Sequence, residues 1–368
     1  MIASPRGPSG RGATAAPPLG PVVCVGVHIL DVLGRPVTEI PPGQNSVVLE
    51  EIRATAAGTA AGTSVDLAKL GVEVQNIGAI GDDALGDLLL ALLRKNGVDA
   101  GLLLRKSGRR TSATILPIRP NGERPALHAP GADHYFEPAD FGAAHVRAFE
   151  SAAAVHVGAP DMLSAFPPGE LAPHLAAARA RGAIVTMDLL RAGVGGALEP
   201  LAPVLEQVDW FLPNEQQLRA STGRDDLREA AKVARGLGAA AVGVTCGADG
   251  CVLFHDDVGE VAVPTLPVDV VDTTGCGDGF DAGFITALLL GSSPIEAAWL
   301  GVACGSLVAT GLGSDAGIES LEGTLSLLEA RAPAPDGRKA ASALRRMSET
   351  RASVVGTELE GVAGGDRS

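Results

Sequence analysis

The residues best suited to chemistry are Asp272-Thr273-Thr274-Gly275-Cys276-Gly277-Asp278, late in a chain of 368 residues. Phe280, Phe284, Ala287 and Leu288 follow at helical spacing, so a helix starts inside this segment. Gly275 and Gly277 then sit at its N-terminus, where unpaired amides and the positive dipole end converge. Small residues there let an anion approach the backbone closely. Asp278 falls in the first turn, beside that anion hole. A phosphate held by amides with a carboxylate base next to it is the arrangement that phosphoryl transfer to a hydroxyl requires. An ordinary helix start, capped by Gly and Asp, fits the same residues. The segment lacks the third glycine of G-x-G-x-x-G, because Phe280 stands there, and it does not match G-x-x-x-x-G-K-[ST].

The surrounding pattern must position those residues. Pro21–His28 reads as a strand, Thr63–Leu70 as a helix, Glu73–Ile80 as a strand and Ala84–Asn96 as an amphipathic helix that stops at Gly97. The alternation returns at Ala153–Val157, Leu171–Arg181, Ala183–Asp188 and Val208–Leu212. It continues through Asn214–Thr222, Leu227–Gly236 and Ala241–Thr245. Near-continuous apolar strands separated by helices imply a parallel sheet covered on both faces. Two segments break this rhythm: Ser46–Ala56 alternates like a half-exposed strand, and Ser112–Ala129 reads as a hairpin around Asn121-Gly122. They are expected to form a small antiparallel sheet, either a lid over the site or a flap without function.

Composition narrows the function classes. The net charge is −14, with 29 basic and 43 acidic side chains, and both ends of the chain carry a slight positive balance. An acidic body excludes a duplex-binding surface, which needs clustered Lys and Arg, but not a small phosphate ligand held by amides. No apolar run reaches the ~18–20 residues of a membrane helix. The five cysteines are scattered, with no C-x-x-C pair, which argues for reduced thiols in a cytoplasm and against zinc. Residues 1–20, rich in Pro, Gly, Ser and Ala, and 332–368, where "RAPAPDGR" breaks any helix leaving the core, are expected to be mostly disordered tails around one domain at 21–331. A short helix at Ala340–Thr350 has room to form but little to pack against.

The segment "DTTGCGDGFDAGF" resembles the C-terminal signature of PfkB/ribokinase-type carbohydrate kinases, D-T-x-G-x-G-D. The resemblance is collinear over about residues 22–330. "VVCVGVHILDVL" resembles the family's first strand, and "AGTAAGTSVDLAKLG" its glycine-rich segment and helix. "APGAD" stands where the family has P-G-A-N. "LPNEQQL" resembles its N-x-x-E region, and "VTCGADGCVLF" its T-x-G strand near the nucleotide. The resemblance implies a ribokinase-like three-layer α/β/α fold with a mostly parallel sheet and a small β-sheet lid from about 32–57 and 111–130.

It also implies an ATP-dependent kinase acting on a hydroxyl of a sugar or nucleoside. Asp278 would be the general base, and the Gly275, Cys276 and Gly277 amides the anion hole. Asp31, Gly58, Thr59 and Gly62 would bind the acceptor; Asn214, Thr245, Gly247 and Gly250 would line the ATP site. Asp272 and Thr274 would lie by a potassium site, and a homodimer would form through the lid. Three departures stand out. Gly62 replaces a sugar-binding Asn, which suggests a roomier pocket. Gln217 replaces the acidic residue of N-x-x-E, leaving Glu215 as a weak substitute for the magnesium contact. "VHVGAP" lacks the carboxylate that ribokinases place before the proline. Two roles are open to Cys276, that of a small side chain or of a thiol activated by the helix end. A non-catalytic sensor on the same fold is the rival function.

Overall fold

The computed structural model describes residues 20–191 and 196–364; the tail expected at 1–20 lies, apart from Gly20, outside them. The chain opens with β1 (Val22–Gly26), then β2 (Ile29–Arg35) and β3 (Glu51–Ala57), followed by α1 (Thr59–Lys69) and β4 (Val74–Gly81). Helix α2 (Ala84–Lys95) leads to β5 (Asp99–Lys106), β6 (Ala113–Pro117) and β7 (Leu127–Ala129). Alternation resumes with α3 (Ala143–Ser151), β8 (Ala154–Gly158), α4 (Pro168–Ala180), β9 (Ile184–Asp188), α5 (Ala202–Leu205) and β10 (Trp210–Phe211). Next come α6 (Glu215–Thr222), α7 (Leu227–Gly236), β11 (Ala241–Thr245) and the hairpin β12 (Cys251–His255) and β13 (Gly259–Val263). Four helices finish the chain: α8 (Cys276–Leu289), α9 (Pro294–Val308), α10 (Leu321–Arg331) and α11 (Pro335–Gly364).

Nine strands form the main sheet in the order β13-β12-β11-β10-β9-β8-β1-β4-β5, and a second sheet runs β3-β2-β6-β7, mixed rather than antiparallel as expected, because β2 and β6 pair in parallel. From β11 to β5 every pairing is parallel, while β12 and β13 add an antiparallel edge. All of Val22–Gly26 is buried. Alternate residues of β1 enter two different cores: Val22 and Cys24 pack with α1, α8 and α9, whereas Val23 and Val25 pack with α3 and α4. Burial on both faces is why the strand reads as a continuous apolar run rather than an alternation. The chain moves from β1 to β4 and β5 on one side, then crosses back to β8 and beyond on the other. The crevice at that reversal, outside the carboxyl ends of β1 and β8, is the ligand-binding position of such sheets.

Local signals account for the boundaries. Helix α1 starts a turn earlier than its apolar spacing predicts because Gly58, at φ 84°, makes the entry bend. Asp83 caps α2 by accepting from the Gly86 amide, and Gly97 follows it at φ 81°. The segment 46–50 falls outside β3, and β2, which the resemblance of "VVCVGVHILDVL" to one strand had joined to the first, is separate.

The C-terminal expectation is corrected. Residues 335–364 form α11 rather than a disordered tail. Ala340, Ala341 and Leu344 are buried in the same core as α8 and α9. Pro335, read as a breaker, occupies the first helical position, where its missing N–H costs nothing.

Candidate active site

Gly275 caps α8 at φ 79°. A Cβ there would lie 2.4 Å from Ser314 Cα, so only glycine fits against the 312–316 loop. Asp272 locks the approach to the helix. Its Oδ1 accepts from the Thr274 amide at 3.0 Å and the Thr274 hydroxyl at 2.8 Å, and its Oδ2 from the Gly313 amide at 3.0 Å. The two residues expected by potassium thus form a latch between two loops. The Cys276 amide points to Thr273 O at 3.4 Å, which leaves the first-turn amides of Gly277 and Asp278 at the open end. A Cβ on Gly277 would meet no atom within 4 Å. No packing demands glycine there, and open space for a ligand lies beside it.

Asp278 is buried on the first turn of α8. Burial first, and the nearby Asp31 carboxylate second, push its pKa up to about 7. Asp31, in the middle of β2, is pushed up to about 6 by burial, opposed by a hydrogen bond from Thr114 and the charge of Arg124. The cross-strand row Thr55, Asp31, Thr114, His128 places Asp31 on the face of the small sheet that covers the crevice. The helix end and the small sheet therefore bring together two buried carboxylates and an open set of amides. A carboxylate that titrates near neutrality can accept a proton from a hydroxyl at physiological pH.

The missing side chain at Gly62 does not enlarge this crevice. A Cβ there would lie 2.3 Å from Asp278 Oδ2, so that carboxylate itself occupies the space. Gly58 is required by its φ and by Val27 O, which would stand 2.6 Å from any Cβ at that position, and Thr59 is buried at the start of α1. Burial pushes the Cys276 thiol up to about 12. That shift runs against a thiol activated by the helix end.

At the positions expected to line the ATP site, an isolated parallel bridge joins Asn214 to Thr245. Four strand spacings, about 19 Å, separate β1 from β11 along the same edge, room for an acceptor and an extended nucleotide side by side. Gly247 adopts φ 57° with no atom near a Cβ, whereas Gly250 is a packing glycine whose Cβ would lie 2.1 Å from Val263 O. Gln217 is spent on structure. Its Oε1 accepts from the Asn214 amide at 2.8 Å, and its Nε2 donates to Leu189 O at 2.7 Å. Glu215 pairs with Arg219 at 3.3 Å. Both polar ends of the Gln217 side chain are thus engaged, whereas the Glu215 pair is a part-exposed surface contact. Among the described residues no group of three or more His, Cys, Asp or Glu is arranged to hold a metal.

Sequence reasoning missed several groups. Arg124, in the β6–β7 connection, donates from Nε to Thr273 Oγ1 at 3.3 Å. Its charge acts on Asp278, Asp31 and Cys276. One turn along α8 from Asp278, Asp281 Oδ2 lies 3.8 Å from His156 Nε2. Burial pushes Asp281 well up and His156 down to about 3, which favours the neutral form of each. Only the i, i+3 spacing of Asp278 and Asp281 hinted at the second carboxyl.

The pfkB family carbohydrate kinase pattern matches residues 21–321. The chain belongs to that family, and its fold is the ribokinase-like α/β fold. Fructokinase-1 of Oryza sativa subsp. japonica is 30% identical over 291 residues, 74% of this chain and 88% of the relative. The aminoimidazole riboside kinase of Salmonella typhimurium is 30% identical over 240 residues, 63% of this chain and 73% of that protein. The structure of Arabidopsis thaliana ribokinase complexed with ribose and ATP superposes with a TM-score of 0.72 at 23% identity, covering 84% of this chain and 98% of that one.

Proposed function

We propose that this family member transfers the γ-phosphoryl group of ATP to a hydroxyl of a sugar or sugar-like acceptor. The observation that carries this is the placement of Asp278, buried and titrating near neutrality, on the turn that presents the open amides. Asp31 would hold acceptor hydroxyls. Asp278 would take the proton as the hydroxyl oxygen bonds to the γ-phosphorus and the bond to the β-phosphate oxygen breaks, releasing ADP. The Gly277 and Asp278 amides would stabilise the charge on the transferring group, with Arg124 above them as the cation among carboxylates. Asn214, Thr245 and Gly247 would line the nucleotide. Magnesium would arrive with ATP, and no step is assigned to it.

A nucleoside acceptor is the second reading, supported by the similarity to the aminoimidazole riboside kinase. A sensor without activity is disfavoured, because it needs no base beside an anion hole. A homodimer through the small sheet is supported by Ile52, Ile115 and Leu127, exposed on the sheet face opposite Asp31. The free cysteines fit a reducing compartment such as the cytoplasm, and no described helix is long and apolar enough to cross a membrane.

The test is an ATP-depletion screen against pentoses, hexoses, sugar acids and nucleosides, with magnesium and with potassium or sodium. Saturable, acceptor-dependent ADP release that vanishes in Asp278→Asn is the expected result. ATP consumption that no acceptor stimulates would overturn it.

A further inference from the structure

The small sheet and the phosphoryl site touch the same five-residue loop, 312–316, from opposite sides. From β3, Arg53 Nη1 donates to Leu312 O at 3.0 Å, and Nη2 pairs with Asp315 Oδ1 at 2.9 Å. Ser314 Oγ lies 2.9 Å from Ala56 O, to which it donates, and 3.3 Å from Thr55 Oγ1. Leu312 is buried among Leu33, Leu116 and Ile118 of the small sheet and its margin. On the other side the Gly313 amide donates to Asp272 Oδ2, and Ser314 fills the space that a Cβ of Gly275 would need. Lys69 of α1 donates to Asp315 O, which fixes the loop from below.

The Arg53 side chain has no polar partner directly across from it on β2, since its register partner Leu33 is apolar. Its planar fork instead grips a carbonyl and a carboxylate three residues apart, a geometry that the single ammonium of lysine does not reproduce. Between this grip and the anion hole stand only Gly313 and Ser314.

We propose that Arg53 is a positioning residue that transmits the docking of the small sheet, through the 312–316 loop, to the Asp272–Gly275 latch and so to the open amides of α8. The inference rests on the kinase reading for its effect on turnover, but its structural half does not. Covering of the acceptor and alignment of the amides become one event, which is how a lid commits a substrate. Breaking the grip loosens the anion hole while leaving Asp278, the nucleotide edge and the core in place.

The test combines kinetics with hydrogen exchange on the full chain. In Arg53→Gln, kcat is expected to fall roughly 2- to 30-fold, the range of coupling through such contacts, with KM for ATP little changed. Amide exchange is expected to rise at 273–279 as well as at 312–316, while β8 and β9 stay protected. Arg53→Lys should recover only part of the loss, and the exchanged pair Arg53→Asp with Asp315→Arg more of it than either single change. Asp315→Asn, which removes the pair from the loop side, should reproduce Arg53→Gln and serves if that variant does not fold. Faster exchange confined to 312–316, with 273–279 and kcat as in the wild type, would overturn the proposal. A wild-type protein without phosphotransfer would instead sink the kinase reading, and the exchange data would still decide the coupling.

Discussion

Gly62 and Asp278 share one space: the position of a Cβ on the glycine lies 2.3 Å from Oδ2 of the carboxylate. The carboxylate can adopt its buried position only because α1 carries no side chain there. Any substitution at Gly62 must move the carboxylate, since its neighbours on α8 are packed against α9. Gly62→Ala is therefore expected to lower kcat about 10²-fold, the smaller end of what loss of a general base costs, with KM for ATP nearly unchanged. Steady-state kinetics in both substrates check it; an unchanged kcat would mean that Asp278 is not the base or that the helix yields.

The pH dependence follows from the raised value of Asp278. The proton must be off for the group to act as base, so kcat/KM should fall as pH drops through about 7. Asp278→Asn should lose turnover by ~10²–10⁴-fold at all pH values. Stability should move with the opposite preference. A carboxyl whose pKa is higher folded than unfolded stabilises the fold below its ordinary value near 4, and that contribution is lost as pH rises through about 7. Asp278→Asn should therefore gain on the wild type in melting temperature between pH 4 and pH 8.

Arg124 draws the pKa of Asp278 and of Asp31 downward. Replacing it by Gln should move the acid limb of kcat/KM to higher pH and lower kcat, with a slight effect on the melting temperature because the side chain is exposed at its Thr273 contact. A rate profile that keeps its wild-type acid limb would remove Arg124 from the electrostatics of the site.

The row Val32, Ile115, Leu127 crosses the small sheet on its outer face, with Ile115 58% and Leu127 60% exposed. A second copy would cover it. Ile115→Asp should convert a dimer to a monomer in sedimentation at micromolar concentration. A wild-type monomer under the same conditions would rule the dimer out.

Leu344 lies fully buried beyond the family-matched segment. Leu344→Ala should cost about 2–5 kcal/mol of unfolding free energy, the usual range for emptying such a site. Denaturant titration measures it, and a loss below ~1 kcal/mol would show that α11 is a loosely attached appendage.

What the sequence revealed, and what it hid, divides along local and non-local lines. The onset of α8 was legible because Phe280, Phe284 and Leu288 set the helical phase within a few residues of the glycines. The hairpin was legible because Asn121-Gly122 is a local turn signal, and the two strands do pair. Gly62 was misread because an absent side chain does not say which atom fills its place; here the filler comes from a residue 216 positions later. Arg53 and Arg124 gave no signal, since a lone arginine takes meaning only from the loop it reaches. In α11, Pro335 looked like a terminator because its rank within a helix depends on where the helix begins.

The strand order carries a consequence for how the chain is made. β1 precedes every other strand in the chain but sits inside the main sheet, third from one edge, and one of its two neighbours, β8, begins roughly 130 residues later. Until Ala154–Gly158 emerges, a fully apolar strand keeps one hydrogen-bonding edge open. Parallel pairings of such long sequence separation form slowly, and an open apolar edge is a template for other chains. The nascent protein thus has a window, closing only after more than a third of its length has been made, in which it is most exposed to aggregation and most in need of a chaperone.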